Sequence, residues 1–226
     1  QCRLVIADLD ASDDISTIDG VEIISINDAR IDDAPDAQLP SQQQPSDIAY
    51  ILFTSGSTGA PKGVVLNHSG PVNTIEDINR RFGIRHDDRI LALSDLSFDL
   101  SVYDVFGCIA AGATVVLPQE GQQQDPGSNY ALVQQFGITV WNSVPALMQL
   151  MTDYLSLSHI DARLGIKTVM MSGDWIPISL PKKIYKYAPE TNVFSLGGAT
   201  EASIWSIYYP ILRDHNFNTS IPYGYP

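Results

Sequence analysis

Apolar residues fall in short blocks separated by polar turns, and the blocks change period along the chain. Runs at 3–7 (Arg-Leu-Val-Ile-Ala) and 21–26 (Val-Glu-Ile-Ile-Ser-Ile) read as buried strands with an Asp/Ser-rich turn region between them. Residues 32–47 are polar, rich in Pro, Gln and Asp, and without period, which describes a surface linker. A strand over 48–54 runs straight into a Ser/Gly/Thr loop at 55–63, and a second β run covers 64–66. An amphipathic helix is expected over 71–82, with Pro71 at its start and Gly83 after its end. Further strands are expected over 90–94, 114–117, 138–141, 167–171 and 192–196, with a β-rich stretch over 203–212. Helices over 102–111, 129–136, 145–155 and 178–187 alternate with them, and 119–128 reads as a loop. Strands alternating with helices imply an α/β fold with mixed, largely parallel sheets and helices on both faces.

The bulk numbers narrow the class. The 226 residues are 44% hydrophobic and 17% charged, enough to bury a core and too apolar for disorder. Net charge is −13, from 26 acidic and 13 basic residues, which disfavours nucleic acid and anionic membrane as partners. Cys2 and Cys108 make neither a disulfide framework nor a zinc spacing, so a reducing, cytoplasmic setting is expected. No run spans a bilayer. The ends, Gln1 and Pro226, read as cut from something longer.

The clearest chemistry is Thr54-Ser55-Gly56-Ser57-Thr58-Gly59-Ala60-Pro61-Lys62-Gly63. Its glycines let backbone approach a ligand, its hydroxyls and N–H groups donate to phosphate oxygens, and Lys62 adds a positive charge. It is not a Walker loop, since no Gly stands five residues before a Gly-Lys-Ser/Thr. A plain flexible turn has similar composition, but this string is long, ordered and fed by a strand.

Tyr50 to Val64 resembles the signature of the adenylate-forming superfamily, which includes acyl-CoA synthetases, luciferases and the adenylation domains of nonribosomal peptide synthetases. The resemblance implies that Thr54, Ser55, Gly56, Ser57, Thr58, Gly59 and Lys62 handle the β- and γ-phosphates of ATP. Phe98-Asp99-Leu100-Ser101 resembles the substrate-side motif, whose Asp pairs with an amino acid's α-ammonium in peptide-synthetase members. Read alone, Asp99 equally fits an N-cap of the helix that follows. Gly197-Gly198-Ala199-Thr200-Glu201 resembles the third signature, Tyr-Gly-Pro-Thr-Glu. Thr200 would then bond the α-phosphate and Glu201 would hold Mg²⁺. Here Gly197 replaces the aromatic expected on adenine and Ala199 the usual Pro, so the base would be gripped by backbone around Ser172, Gly173, Asp174 and Ser195. In the family, Leu-Gly-Gly-Ala-Thr-Glu recurs in synthetases that form thiazoline rings from cysteine, of the kind that build siderophores.

Matched motif by motif, the amino-acid pocket would be lined by Asp99, Leu100, Tyr103, Asn142, Met170, Ser172, Leu196, Ile204 and Trp205. This is the family's cysteine pattern with Met170 in place of Leu. One acid, small polar groups and an apolar remainder suit a short, weakly polar side chain, and separate Cys from Ser only narrowly. The resemblance thus implies activation of L-cysteine as its adenylate, with Lys62, Thr200 and Glu201 as the catalytic set. Loading onto the phosphopantetheine of a peptidyl carrier domain would follow, beside a condensation or cyclization domain. The chain would be the central part of an adenylation core subdomain, 1–47 its lead-in and linker, 48–226 its loop, pocket and Mg/ATP motif. The family's Tyr-x-Thr-Gly-Asp segment and C-terminal subdomain have no counterpart here. Two rival readings share the loop: an acyl-CoA synthetase or aryl-acid adenylase, which should lack Asp99, and a non-catalytic nucleotide-binding remnant.

Overall fold

The computed structural model describes residues 3–7, 20–35, 37, 40, 42–54 and 60–226. They belong to two compact units, Gln1–Gln43 and Gln44–Pro226. In the first, β1 (Leu4–Ala7) pairs in parallel with β2 (Glu22–Ser25), with Leu4 opposite Glu22. Polar 32–47 was expected to be structureless, yet a short helix α1 (Ala29–Asp32) touches its start. Asp28 caps that helix by accepting from Arg30 N.

In the second unit, β3 (Ile48–Thr54) and β4 (Lys62–Asn67) form an antiparallel hairpin, with Thr54 opposite Lys62. The remaining strands are β5 (Arg89–Ala92), β6 (Thr114–Val116), β7 (Val140–Ser143), β8 (Thr168–Met171), β9 (Asn192–Gly197) and β10 (Ile207–Ile211). They make one six-stranded sheet in the order β10-β9-β8-β7-β5-β6. All its pairings are parallel except β9 with β10.

A central parallel strand needs apolar side chains on both faces. Leu91, Trp141, Val169, Met171 and Val193 point into one cluster, under α5 (Pro126–Phe136), α6 (Pro145–Leu157) and α7 (Leu180–Tyr187). Ile90, Val140, Met170 and Leu196, on the same strands, point into the other, under α2 (Ser69–Phe82). That helix buries Pro71, Thr74, Ile75 and Ile78, one stripe at helical spacing. It starts two residues before the expected Pro71 and stops at Gly83, whose φ of 68° is left-handed. Asp125 likewise starts α5 earlier than expected, at Pro126, by accepting from Ser128 N.

The expected helix over 102–111 is three pieces: α3 (Leu100–Val102), a π turn (Tyr103–Gly107) and α4 (Cys108–Ala110). Gly107 permits this winding, because a Cβ there would stand 2.6 Å from the Tyr103 ring. The stretch 203–212 is strand only from Ile207 onward. Before it come a 3₁₀ turn (Thr200–Ala202) and left-handed backbone at Ser203 (φ 64°) and Ile204 (φ 74°). For a β-branched Ile this conformation is strained and needs its surroundings to hold it. No helix among the described residues is long and apolar enough to cross a membrane.

Candidate active site

Strand order alone locates a cleft. From β5 the chain crosses first to β6 on one side and then to β7 on the other. Loops therefore diverge at the carboxyl ends of these strands, where open α/β sheets bind ligands. A cleft of about 870 Å³ opens there, lined by residues that follow β5 (Leu93, Asp99), β7 (Val144), β8 (Ser172, Gly173) and β9 (Gly198, Thr200).

Asp99 faces this cleft ahead of α3. Its side chain makes no capping bond to the helix, which removes the simple N-cap role. Burial lifts its carboxyl above the ordinary aspartate value, while a hydrogen bond from the Thr200 hydroxyl pulls the other way. The net rise means that the ionised form is short of compensation, so a cation arriving in the cleft would be welcomed. Tyr50 on β3 feels the Asp99 charge, and its phenol is pushed up to about 12, mainly by burial. Its hydroxyl is buried without a partner.

The far wall is built by close backbone packing. A Cβ on Gly198 would meet the Ile204 carbonyl oxygen at 2.7 Å and Trp205 Cα at 2.8 Å. Only glycine lets these strands of backbone touch. On the other side Thr74 Oγ1 donates to the Ser203 carbonyl (2.9 Å), tying the strained turn to α2. Trp205 Nε1 donates to Ser172 Oγ (3.0 Å), so the indole is fixed across the cleft floor.

The expected site residues distribute as follows. Asp99, Leu100, Ser172, Gly173, Thr200, Ile204 and Trp205 line the one cleft. Tyr103, Asn142, Met170 and Leu196 are fully buried beneath it. Tyr103 donates its hydroxyl to Asn79 Oδ1 (2.8 Å) and stacks at a tilt on Trp205, 5.0 Å between ring centroids. Ser195 and Gly197 lie in β9, with Gly197 paired to Ile207. Asp174 is exposed and accepts from Trp175 N. Glu201 is exposed, next to Thr200 in the 3₁₀ turn. Thr54 and Lys62 pair where β3 and β4 flank the Ser/Gly/Thr segment, and β4 packs against that same 3₁₀ turn. Ser55, Gly56, Ser57, Thr58 and Gly59 lie outside the described residues.

No cluster of three or more His, Cys, Asp or Glu occurs among the described residues. Glu201 alone still suits Mg²⁺, which is commonly held by one carboxylate together with substrate phosphates. A cleft with a part-buried acid on one wall and the Thr200 hydroxyl and Gly198 on the other can hold a zwitterion against a phosphate.

The family described as AMP-binding enzyme matches residues 2–226. The chain belongs to that family. Pyochelin synthetase PchF of Pseudomonas aeruginosa is 52% identical over 178 residues, which are 79% of this chain and 10% of that protein. The anguibactin system regulator of Vibrio anguillarum is 41% identical over 224 residues, 92% of this chain and 21% of that protein. Among solved structures, the α-methyl-L-serine-AMP bound form of the nonribosomal peptide synthetase FmoA3 superposes with a TM-score of 0.89 at 39% identity. It covers 99% of this chain, which is 25% of that one. The chain thus spans about a quarter or less of each of these proteins, and its α/β fold with a mostly parallel sheet is that of FmoA3.

Sequence reasoning missed Ser94, Asp95, Glu120, Gln123, Val144 and Gly198 as lining residues. None stands in a motif apart from Gly198. The signal available for the rest was positional: each follows the carboxyl end of a strand that meets the switch point.

Proposed function

We propose that the protein carrying this chain activates an amino acid as its adenylate for nonribosomal peptide synthesis. The observation that carries the proposal is Asp99, a desolvated acid that lines the cleft together with Thr200. An acyl or aryl acid brings no cation to such a group, whereas an α-ammonium replaces the water that burial removed.

In the reaction, Asp99 holds the ammonium and so presents the carboxylate of the amino acid. ATP lies across the wall formed by Gly198 and Thr200, with its β- and γ-phosphates toward the loop between Thr54 and Lys62. The carboxylate oxygen attacks the α-phosphorus, a C–O–P linkage forms, and pyrophosphate leaves with the electron pair of the broken bond. No protein nucleophile is required, so the work is alignment of two anions and donation to the phosphate oxygens by Thr200 and the loop. Glu201 would hold Mg²⁺, which would supply charge neutralisation for those oxygens. The aminoacyl group then passes to the phosphopantetheine thiol of a carrier domain elsewhere in the longer protein.

The substrate we propose is L-cysteine. Its support is the residue set Asp99, Leu100, Tyr103, Asn142, Met170, Ser172, Leu196, Ile204 and Trp205, in which Asp99 is the one charge, leaving none in the set to match the side chain of Lys, Arg or Glu. The ligand held by FmoA3, an α-methyl-L-serine adenylate, has a side chain of comparable size. The test is amino-acid-dependent pyrophosphate exchange by the complete enzyme across all common amino acids, with a fatty and an aryl acid alongside. Exchange driven by cysteine is the expected result. Exchange driven only by the fatty or aryl acid would replace the proposal with an acyl-activating one, and absence of MgATP binding would leave a non-catalytic remnant.

A further inference from the structure

Asp104 is a fully buried acid that the reaction above does not use. It sits in the π turn, one helical turn beyond the cleft-lining Leu100. Asn142 Nδ2 donates to its Oδ1 (2.7 Å), and Ser94 N donates to its Oδ2 (3.3 Å). Burial raises its pKa to about 7. The Tyr103 phenol and Cys108 thiol beside it are kept protonated by burial, so neither competes as an anion. Above neutral pH the carboxylate is an acceptor only, and a facing amide must offer it the nitrogen.

That constraint has a consequence on the opposite edge of the amide. Asn142 Oδ1 is buried and has no hydrogen-bond partner. An unpaired buried acceptor is costly and rare in a folded protein. Asn142 pairs in register with Met170, and cleft-lining Val144 and Ser172 lie two residues further along these same chains. The orphan oxygen therefore belongs to the layer directly under the floor that Leu100 and Trp205 cover.

We infer that Asp104 is a positioning residue: by engaging the Asn142 amide nitrogen it leaves Asn142 Oδ1 as the acceptor for a hydrogen-bond donor, thiol or hydroxyl, at the tip of a short substrate side chain. The inference rests on the amino-acid reading of the cleft and adds what selects among small amino acids. Size alone separates cysteine from 2-aminobutyrate, or serine from alanine, poorly. A buried acceptor left unpaired by the analogue separates them far better.

The experiment is pyrophosphate exchange by the complete enzyme at pH 8, comparing kcat/KM for cysteine against 2-aminobutyrate and for serine against alanine. Wild type is expected to favour at least one donor-bearing substrate over its match by about tenfold or more. In Asp104→Asn, the Ser94 N–H still claims one oxygen, so the new amide nitrogen faces Asn142 and turns it over. The Asn142 nitrogen then faces the pocket. The preference should fall to within about threefold, through loss on the donor-bearing substrate, with KM for ATP and kcat/KM for 2-aminobutyrate retained. General structural damage would lower all substrates together. Should Asp104→Asn yield no folded protein, Asn142→Leu removes the same acceptor and should abolish the same preference. Equal use of both members of each pair by wild type, or an undiminished preference in a folded variant, overturns the inference while the adenylation reading stands. A wild-type enzyme that exchanges with no amino acid removes that reading and the inference with it.

Discussion

Gly198 offers the sharpest perturbation of the site. An alanine there places its Cβ 2.7 Å from the Ile204 carbonyl oxygen, 2.8 Å from Trp205 Cα and 3.0 Å from the Ser206 nitrogen. All three are backbone atoms, so no side chain can swing away. The segment is also held from its other side, since Ser206 N donates to the Gly197 carbonyl (2.9 Å) and Thr74 holds Ser203. Overpacking of this kind costs about 1–3 kcal/mol. For a domain of this size, ~2 kcal/mol lowers Tm by roughly 4–8 °C. The displaced segment carries Trp205, whose bond to Ser172 fixes the cleft floor, so kcat/KM for exchange should fall about 100-fold. Gly165→Ala is the control, because its Cβ would meet no atom within 4 Å and its φ is not left-handed. It should leave exchange unchanged and stability equal or higher by up to ~1 kcal/mol. Both variants are compared in the complete enzyme by thermal unfolding and pyrophosphate exchange. Gly198→Ala within about 1 °C of wild type at full activity, or an equal loss in Gly165→Ala, would refute the close-packing argument.

Two further outcomes are expected. Asp99→Asn keeps shape and removes the charge proposed to face the ammonium. Exchange kcat/KM for the amino acid should drop at least about 30-fold, with KM for MgATP within a few-fold of wild type; an equal rise in both KM values counts against the assigned role. Asp104 also makes stability depend on pH. Burial raises its folded-state pKa from 3.8 to about 7, so folding favours the neutral acid. That contribution is complete below about pH 4 and is lost as pH rises through about 7. Urea midpoints of wild type and Asp104→Asn should therefore shift in favour of the variant between pH 5 and pH 8, and a pH-independent gap contradicts the burial argument.

The α/β architecture was legible because parallel strands buried on both faces read as mostly apolar runs, as 90–93 (Ile-Leu-Ala-Leu) and 169–171 (Val-Met-Met) do. Boundaries were less so, for identifiable reasons. Asp125 starts α5 before its apolar stripe begins, since a cap is set by local polar geometry and not by hydrophobic period, and α2 begins at Ser69, ahead of Pro71, with no side-chain cap at all. The stretch 203–206 was read as β because Ile204 and Trp205 have strand propensity. Contacts from Gly198 and Thr74 hold it instead in a left-handed turn that propensity disfavours.

The site divides along the same line. Motif residues announce themselves by type: Asp99 and Thr200, singled out from linear signatures, line one cleft, and Glu201 is the exposed neighbour of Thr200. Residues that act through a neighbour do not. Asp104 is one acid among 26 acidic residues, and nothing in its flanking sequence distinguishes it from a solvated one. Three facts of tertiary structure give it meaning: the π turn that faces it inward, the register that sets Asn142 beside Met170, and the water-free interior that lifts its pKa. On the proposed reading, specificity in this cleft is written at two depths. The charge that would accept any amino acid is carried by Asp99, which linear order exposes. The hydrogen bond that would choose among small ones depends on the Asn142 amide, whose orientation is set by the Asp104 carboxylate that only the assembled sheet brings within reach.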